Sequence, residues 1–187
     1  MSILEMKVLL LFFHPNQEIS TTNRYLIQDL PVDANFTFRS LYNEYPTGFI
    51  DVPLEKKFLL ENDVILFQHP LYWYSCPPLM KQWIDWVFEL GWAYGKNGNA
   101  LEGKIWKQII SSGGSFEAYT QPGFHKHPIT EFLLPFQRTA ELCNMKYHEP
   151  FLIYGANSLT IDDLKIIQQD YKQIILNFCK EGKNGHQ

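Results

Sequence analysis

The stretch that decides the fold is VLLLFFHPNQEISTTN, residues 8–23. Its first six residues, 8–13, form an unbroken apolar run, which is typical of a strand covered on both faces of a parallel sheet. The run is too short to span a bilayer and lacks a small-residue cleavage site, so we expect a buried first strand rather than a signal peptide. The S-T-T at residues 20–22 then favours the start of a helix, which we predict to run to about Leu30.

The same alternation of short apolar runs and helical patterns continues along the chain. We predict further strands and helices at these positions: strands over 35–41, 64–67, 105–110 and 147–154, and helices over 54–61, 77–90, 129–142 and about 160–179. Pro77 and Pro78 suit the first turn of the helix at 77–90, and Gly91 suits its C-terminal stop. Segment 42–53 is predicted to be loop.

This alternation implies right-handed crossovers and a parallel sheet. The predicted fold class is α/β: one flavodoxin-like domain over residues 1–187, with five parallel strands in the order 2-1-3-4-5 and helices on both faces. We expect residues from about 180 to 187 to be a frayed tail.

Composition excludes several classes of protein. Hydrophobic residues make up 45% of the 187 and charged residues 19%, as in a globular domain large enough for a sizeable core. The net charge of −4 and the lack of a basic cluster argue against binding to nucleic acid or to an anionic membrane. Three widely spaced cysteines (Cys76, Cys143 and Cys179) predict neither a disulfide framework nor a metal site, and fit a cytoplasmic protein.

The predicted topology places a ligand. In open parallel sheets, ligands bind outside the carboxyl ends of the strands, where the strand order reverses. This rule selects the loops that follow strands 1, 3 and 4, at residues 14–23, 69–76 and 111–128.

The first of these loops ends at a helix start, where free N–H groups and the helix dipole favour an anion. Ser20 and Asn23 add side-chain donors and His14 could add another, so a phosphate is the expected guest. Ordinary helix capping by Ser20 or Thr21 explains the pattern equally well. The loop carries neither GxxxxGK[ST] nor GxGxxG, so an ATPase site or a Rossmann dinucleotide site is unsupported.

The other two loops carry aromatic residues and glycines. Tyr72 and Trp73 could stack on a flat ligand, and Gly113-Gly114 would let the backbone approach it. Tyr119 and His125 follow on the third loop; beside a redox-active ring they could donate hydrogen bonds. On spacing alone, His125 is more simply a solvent-exposed loop histidine.

Three motifs together identify a family. They are FQHPLYWYSCPPLMKQWIDWVFELGWAYG (67–95), IISSGG (109–114) and the later Tyr119 with GFH (123–125). With these motifs the chain resembles the flavodoxin-like NAD(P)H:quinone oxidoreductases. It is most similar to the bacterial branch of glutathione-regulated potassium-efflux ancillary proteins. The resemblance spans about Lys7 to Gly155.

The resemblance implies a flavin, FMN or FAD, held by the three loops. The flavin-binding residues that it implies are His14, Ser20, Asn23, Pro70, Leu71, Tyr72, Trp73, Ser111, Ser112, Gly113 and Gly114. Ser111 and Ser112 stand where the family usually has threonines; they keep the hydroxyls and lose the methyls. Tyr119 and His125 match the pair that supports charge on the reduced flavin, so the resemblance implies a catalytic role for both.

The resemblance also implies a homodimer whose sites lie at the subunit interface. Trp92 and Tyr94 correspond to aromatics that close the substrate pocket, often from the other subunit. Trp83 and Trp86 could be interface or core residues, and we expect the interface slightly more.

The implied activity is two-electron transfer from NAD(P)H to the flavin and then to a quinone, by a ping-pong mechanism. The alternative is a regulatory subunit that docks on a potassium/proton antiporter, which would place a cytoplasmic protein at the periphery of the inner membrane. A one-electron carrier is a third reading, against which the pocket aromatics argue. The choices between FMN and FAD and between NADH and NADPH stay open.

Overall fold

The computed structural model describes residues 6–180, which build a five-stranded, wholly parallel sheet in the order β2-β1-β3-β4-β5. The strands are β1 Val8–Phe12, β2 Phe36–Ser40, β3 Val64–Pro70, β4 Ile105–Ser111 and β5 Lys146–Ile153. The helices are α1 Thr21–Ile27, α2 Leu41–Glu44, α3 Val52–Glu61, α4 Pro78–Val87, α5 Ile129–Phe132, α6 Leu134–Leu142 and α7 Ile161–Lys180. The predicted fold class and strand order are confirmed. The predicted tail lies outside the described residues, except Lys180, which ends α7.

The sheet divides the core into two layers. Alternate residues of β1, such as Leu9 and Leu11, pack with α3, α4 and α6 on one face of the sheet. The intervening residues, such as Val8 and Leu10, pack with α1 and α7 on the other face. Because both faces are covered, every residue of β1 is buried, which explains its unbroken apolar sequence.

Several predicted boundaries are wrong. The helix from 77 to 90 ends at Val87, and Gly91, with φ +80°, serves the turn beyond it rather than the helix stop. The helix from 129 to 142 divides at Leu133, because Pro135 lacks an N–H and its ring clashes with a preceding carbonyl. Leu41–Glu44 form a short helix, where we predicted the end of a strand followed by loop, and α3 begins at Val52, inside the predicted loop. The first helix ends at Ile27 rather than at about Leu30.

Trp83 is a core residue, so the expectation that it lies at an interface is wrong. Its side chain is fully buried between the rings of Phe13 and Phe67, and its indole N–H donates to Glu55 Oε2 over 3.0 Å. Trp86, one turn away, is 42% exposed and meets only the edge of Phe49 among the described rings.

Glu55, on the buried face of α3, binds two polar side chains of the core. Arg39 Nη2 lies 2.8 Å from Glu55 Oε1, and the Tyr45 hydroxyl donates to the same oxygen over 2.6 Å. A fully buried carboxylate is stable only when its charge and lone pairs are satisfied, as they are here. None of the helices between residues 6 and 180 combines the length and the apolar content needed to cross a bilayer.

Candidate functional site

A cavity of about 310 Å³ lies at the carboxyl ends of the strands. It lies at the switch point of the sheet, because β2 is on one side of β1 and the later strands are on the other side. It is lined by His14, Ile19, Ser20, Thr21, Thr22, Asn23, Pro70, Leu71, Tyr72, Ser111, Gly113, Ala156 and Asn157. The three loops selected from the sequence all contribute to it. The loop after β5, with Ala156 and Asn157, was not predicted; its place is fixed by a hydrogen bond of 2.7 Å from Thr22 Oγ1 to the Ala156 carbonyl.

His14 is a neutral hydrogen-bond donor at this cavity. The Asn16 N–H donates to His14 Nδ1 over 3.2 Å, which leaves the ring proton on Nε2. Burial lowers the pKa of His14 below its usual value of 6.5, so the ring stays uncharged at neutral pH. Its remaining N–H is available to an acceptor in the cavity.

Ser20, Asn23 and Ser111 form one hydrogen-bonded group on the cavity wall. Ser20 caps α1 by accepting from the Asn23 backbone N–H over 3.2 Å. Asn23 Nδ2 donates to Ser111 Oγ over 2.8 Å and to Ser20 Oγ over 3.3 Å. The capping that was weighed equally as an alternative is therefore present, and both serines also line the cavity.

The aromatic loop turns sharply at Trp73 and Tyr74. Both have positive φ, +49° and +59°, and the Ser75 N–H donates to the Tyr72 carbonyl over 2.9 Å. Left-handed backbone costs a non-glycine residue about 1–2 kcal/mol, and such strain is concentrated at binding sites. Tyr72 lines the cavity, whereas Trp73 extends outward and is 93% exposed.

Tyr119 and His125 are brought together by the third loop. Their rings stack with centroids 4.1 Å apart and an interplanar angle of 15°. The Ser112 hydroxyl donates to the Tyr119 oxygen over 3.0 Å, and the Gly114 N–H donates to Ser112 Oγ over 3.2 Å. The Ser112 hydroxyl therefore holds the Tyr119 oxygen in place.

His125 is half-buried, so the expectation from spacing alone, an exposed loop histidine, is not what the structure shows. The Tyr74 hydroxyl lies 3.2 Å from His125 Nδ1, and Gly114 packs closely against both Tyr119 and His125. Neither ring lines the cavity; the pair packs against Gly114, which follows the cavity-lining Gly113 in the chain.

Trp92 and Tyr94 lie away from this cavity within one chain. The Trp92 ring packs beneath Lys56 Nζ, 4.7 Å from the ring centroid. Tyr94 lines a second cavity of about 290 Å³ between α4 and α6. Their predicted role in closing the substrate pocket therefore requires a second chain and stays a prediction. Among residues 6–180, no group of three or more His, Cys, Asp or Glu side chains is placed to hold a metal ion.

Comparison with known proteins identifies similar chains. A family model described as a flavodoxin-like fold matches residues 6–176. The glutathione-regulated potassium-efflux system ancillary protein KefG of Erwinia tasmaniensis is 41% identical over 176 residues, which cover 94% of this chain and 96% of that protein.

Three solved structures share the fold. General stress protein 14 of Treponema denticola, solved in complex with FMN, has a TM-score of 0.84 and 34% identity, and covers 92% of this chain and 99% of its own. An NADPH-quinone reductase from P. pentosaceus has a TM-score of 0.80 and 30% identity, with 90% and 97% covered. A structure described as a thermophilic tryptophan halogenase from Streptomycin violaceusniger has a TM-score of 0.87 and 43% identity, with 90% and 98% covered. The functions named for these similar proteins differ, whereas the fold is common to all.

Proposed function

This chain belongs to the flavodoxin-like family, and from that premise we propose that it is a flavin-dependent NAD(P)H:quinone oxidoreductase. The observation that carries the proposal is the cavity at the switch point of the sheet, together with the stacked Tyr119–His125 pair, which packs on Gly114 beside the cavity-lining Gly113. The similar T. denticola protein binds FMN and the similar P. pentosaceus protein is an NADPH-quinone reductase, which supports the choice of cofactor and reaction.

The lining of the cavity fits a flavin phosphate. Of the described residues that line it, none is Asp, Glu, Lys or Arg. The wall is instead rich in hydroxyl and N–H donors, which can hold an anion without placing a like charge beside it. The imidazole of His14 and the hydroxyls of Ser20 and Ser111 would bind the phosphate end, and we take FMN as the cofactor.

The remaining loops would hold and shield the ring system. Bound FMN would supply the two-electron redox chemistry. Pro70, Leu71 and Tyr72 would form the wall on which the flat ring rests, because apolar and aromatic surfaces stack on one another. The Tyr119 hydroxyl, oriented by Ser112, would donate a hydrogen bond toward the ring, and His125 would fix the position of Tyr119 by stacking.

One cavity edge would serve both substrates. NAD(P)H would bind against the ring first and leave, and a quinone would then bind in the same place. Substrates that share one place cannot bind together, so the proposed kinetics are ping-pong. In a proposed homodimer, Trp92 and Tyr94 of a second copy would close this place; light scattering of the purified protein tests that assembly.

The experiment is a visible absorbance spectrum of the purified full-length protein, before and after the anaerobic addition of NADPH, followed by a quinone. We expect a flavin spectrum that bleaches with NADPH and recovers with the quinone. Chromatography of the released cofactor identifies FMN or FAD. A colourless protein that also takes up no added FMN would refute the proposal.

A second candidate is a regulatory subunit of a potassium/proton antiporter. It is favoured by the 41% identity to KefG over 94% of the chain. Co-purification of the chain with such a transporter from detergent-solubilised membranes tests it. If a variant without NADPH oxidation still supports potassium efflux, the regulatory role is primary; if efflux stops with the oxidation, the two roles are linked.

A further inference from the structure

A buried chain of side-chain hydrogen bonds runs from α7 to the cavity wall. The Tyr171 hydroxyl donates to Gln68 Oε1 over 2.8 Å, and Gln68 Nε2 donates to Asn23 Oδ1 over 3.3 Å. Asn23 Nδ2 then donates to Ser111 Oγ and Ser20 Oγ. Tyr171 and Gln68 are fully buried and do not line the cavity, whereas Asn23 does.

The direction of every bond in this chain is set at Tyr171. Within residues 6–180, the one hydrogen-bond partner of the Tyr171 hydroxyl is Gln68, so its proton must point at the amide oxygen. That choice turns the Gln68 amide so that its NH₂ faces Asn23, and it turns Asn23 so that its NH₂ faces the serines. Burial also raises the pKa of Tyr171, so the phenol keeps its proton at neutral pH.

The direction of these hydrogen bonds decides where the two serine protons point at the cavity wall. Each serine oxygen already accepts a hydrogen bond from Asn23, and so the serine proton is free to point into the cavity. If the chain ran in the reverse direction, the serine protons would point at Asn23 Oδ1, and lone pairs would face the ligand instead. A ligand with negatively charged oxygens is favoured by the first arrangement and disfavoured by the second.

We propose that Tyr171 and Gln68 are positioning residues that aim the hydroxyl protons of Ser20 and Ser111 into the cavity and thereby select a phosphorylated flavin over an unphosphorylated one. The proposal rests on the flavin-binding part of the function proposed above. It assigns a role in ligand choice to residues that no ligand touches.

The test compares two probes, FMN and riboflavin, which differ only in the phosphate group. Isothermal titration gives the dissociation constant of each for the full-length protein, after bound flavin is removed by gel filtration in high salt. In Tyr171→Phe, the Gln68 amide loses the group that sets its direction. We expect FMN binding to weaken about three- to tenfold, the worth of roughly one hydrogen bond, with riboflavin binding unchanged.

Two controls distinguish a change in ligand choice from a general structural effect of Tyr171→Phe. Tyr45→Phe also removes a buried phenol hydrogen bond, to Glu55 over 2.6 Å, but on the far side of the core; we expect it to leave the FMN-to-riboflavin ratio unchanged. In a Ser111→Ala background, Tyr171→Phe should have a smaller effect on that ratio, because one of the two hydroxyls through which it acts is absent. Gln68→Met, which removes the same connection one step nearer the cavity, replaces Tyr171→Phe if that variant does not fold.

The outcomes separate the two proposals. A wild-type protein that binds FMN more tightly than riboflavin, with that preference reduced in Tyr171→Phe, supports the inference. Equal loss of both flavins in Tyr171→Phe, or an unchanged ratio, overturns it and leaves the flavin proposal standing. A wild-type protein that binds neither flavin overturns both.

Discussion

His69 should make the protein sensitive to mild acid. The side chain is fully buried at the end of β3, where Nδ1–H donates to the Pro70 carbonyl over 2.9 Å and Nε2 accepts from Gln108 Nε2 over 3.1 Å. Tyr147 donates to Gln108 Oε1 over 3.0 Å and so holds the amide in this orientation. A second proton on His69 would face the Gln108 NH₂ group. Burial lowers the pKa of His69 from 6.5 to about 4.

The sign and size of the effect follow from this pKa. Between pH 6.5 and about 4, His69 is protonated in the unfolded chain but neutral in the folded chain. The free energy of unfolding therefore falls as the pH falls. One pKa unit corresponds to about 1.36 kcal/mol, so His69 alone should remove about 2–3 kcal/mol between about pH 7 and pH 4.5.

The assay is urea unfolding at several pH values for the wild-type protein and for His69→Gln, which cannot titrate but keeps an amide N–H. Other acid-titrating groups are common to both proteins and cancel in the difference. We expect the difference in unfolding free energy to change by about 2–3 kcal/mol over this range. Tyr147→Phe should reduce the wild-type pH dependence, because Gln108 could then turn its oxygen toward protonated His69. Parallel pH profiles for the wild type and His69→Gln would refute the reasoning.

Four further outcomes are expected. Tyr119→Phe combined with His125→Gln should slow the bleaching of bound flavin by NADPH about ten- to a hundredfold, with the flavin retained; an unchanged stopped-flow rate would remove the pair from the mechanism. Gly114→Ala should lower the free energy of unfolding by about 1–3 kcal/mol, since its Cβ would lie 2.8 Å from the Tyr119 ring. Gly113→Ala, whose Cβ meets only the movable end of an amide side chain at 3.0 Å, should cost less in the same urea titration. Ser20→Ala should cost about 1 kcal/mol through the lost helix cap and should weaken FMN binding in calorimetry; tight binding at wild-type strength would place the phosphate elsewhere.

Local sequence features predicted the fold and the place of the site. The apolar run at 8–13 could be stable only if covered on both faces. A second such run at 64–67, with helical patterns between the short strands, predicted a parallel sheet. A parallel sheet of this order has its switch point between β1 and β3, and this rule predicted the place of the cavity. The predicted helix over 129–142 took no account of Pro135, at which the structure divides it.

What the sequence by itself determined, then, was the alternation of elements and the three loops of the cavity, because these depend on neighbouring residues and on one topological rule. Only the tertiary structure decided which partner each polar side chain has. Tyr171 and Gln68 are 103 positions apart in the sequence, and no local sequence pattern predicts their hydrogen bond. Spacing on a helix likewise could not tell whether Trp83 faces a partner or the core, since both require the same apolar face. Packing against Glu55 and the sheet settled it, because the indole N–H must find an acceptor once it is buried.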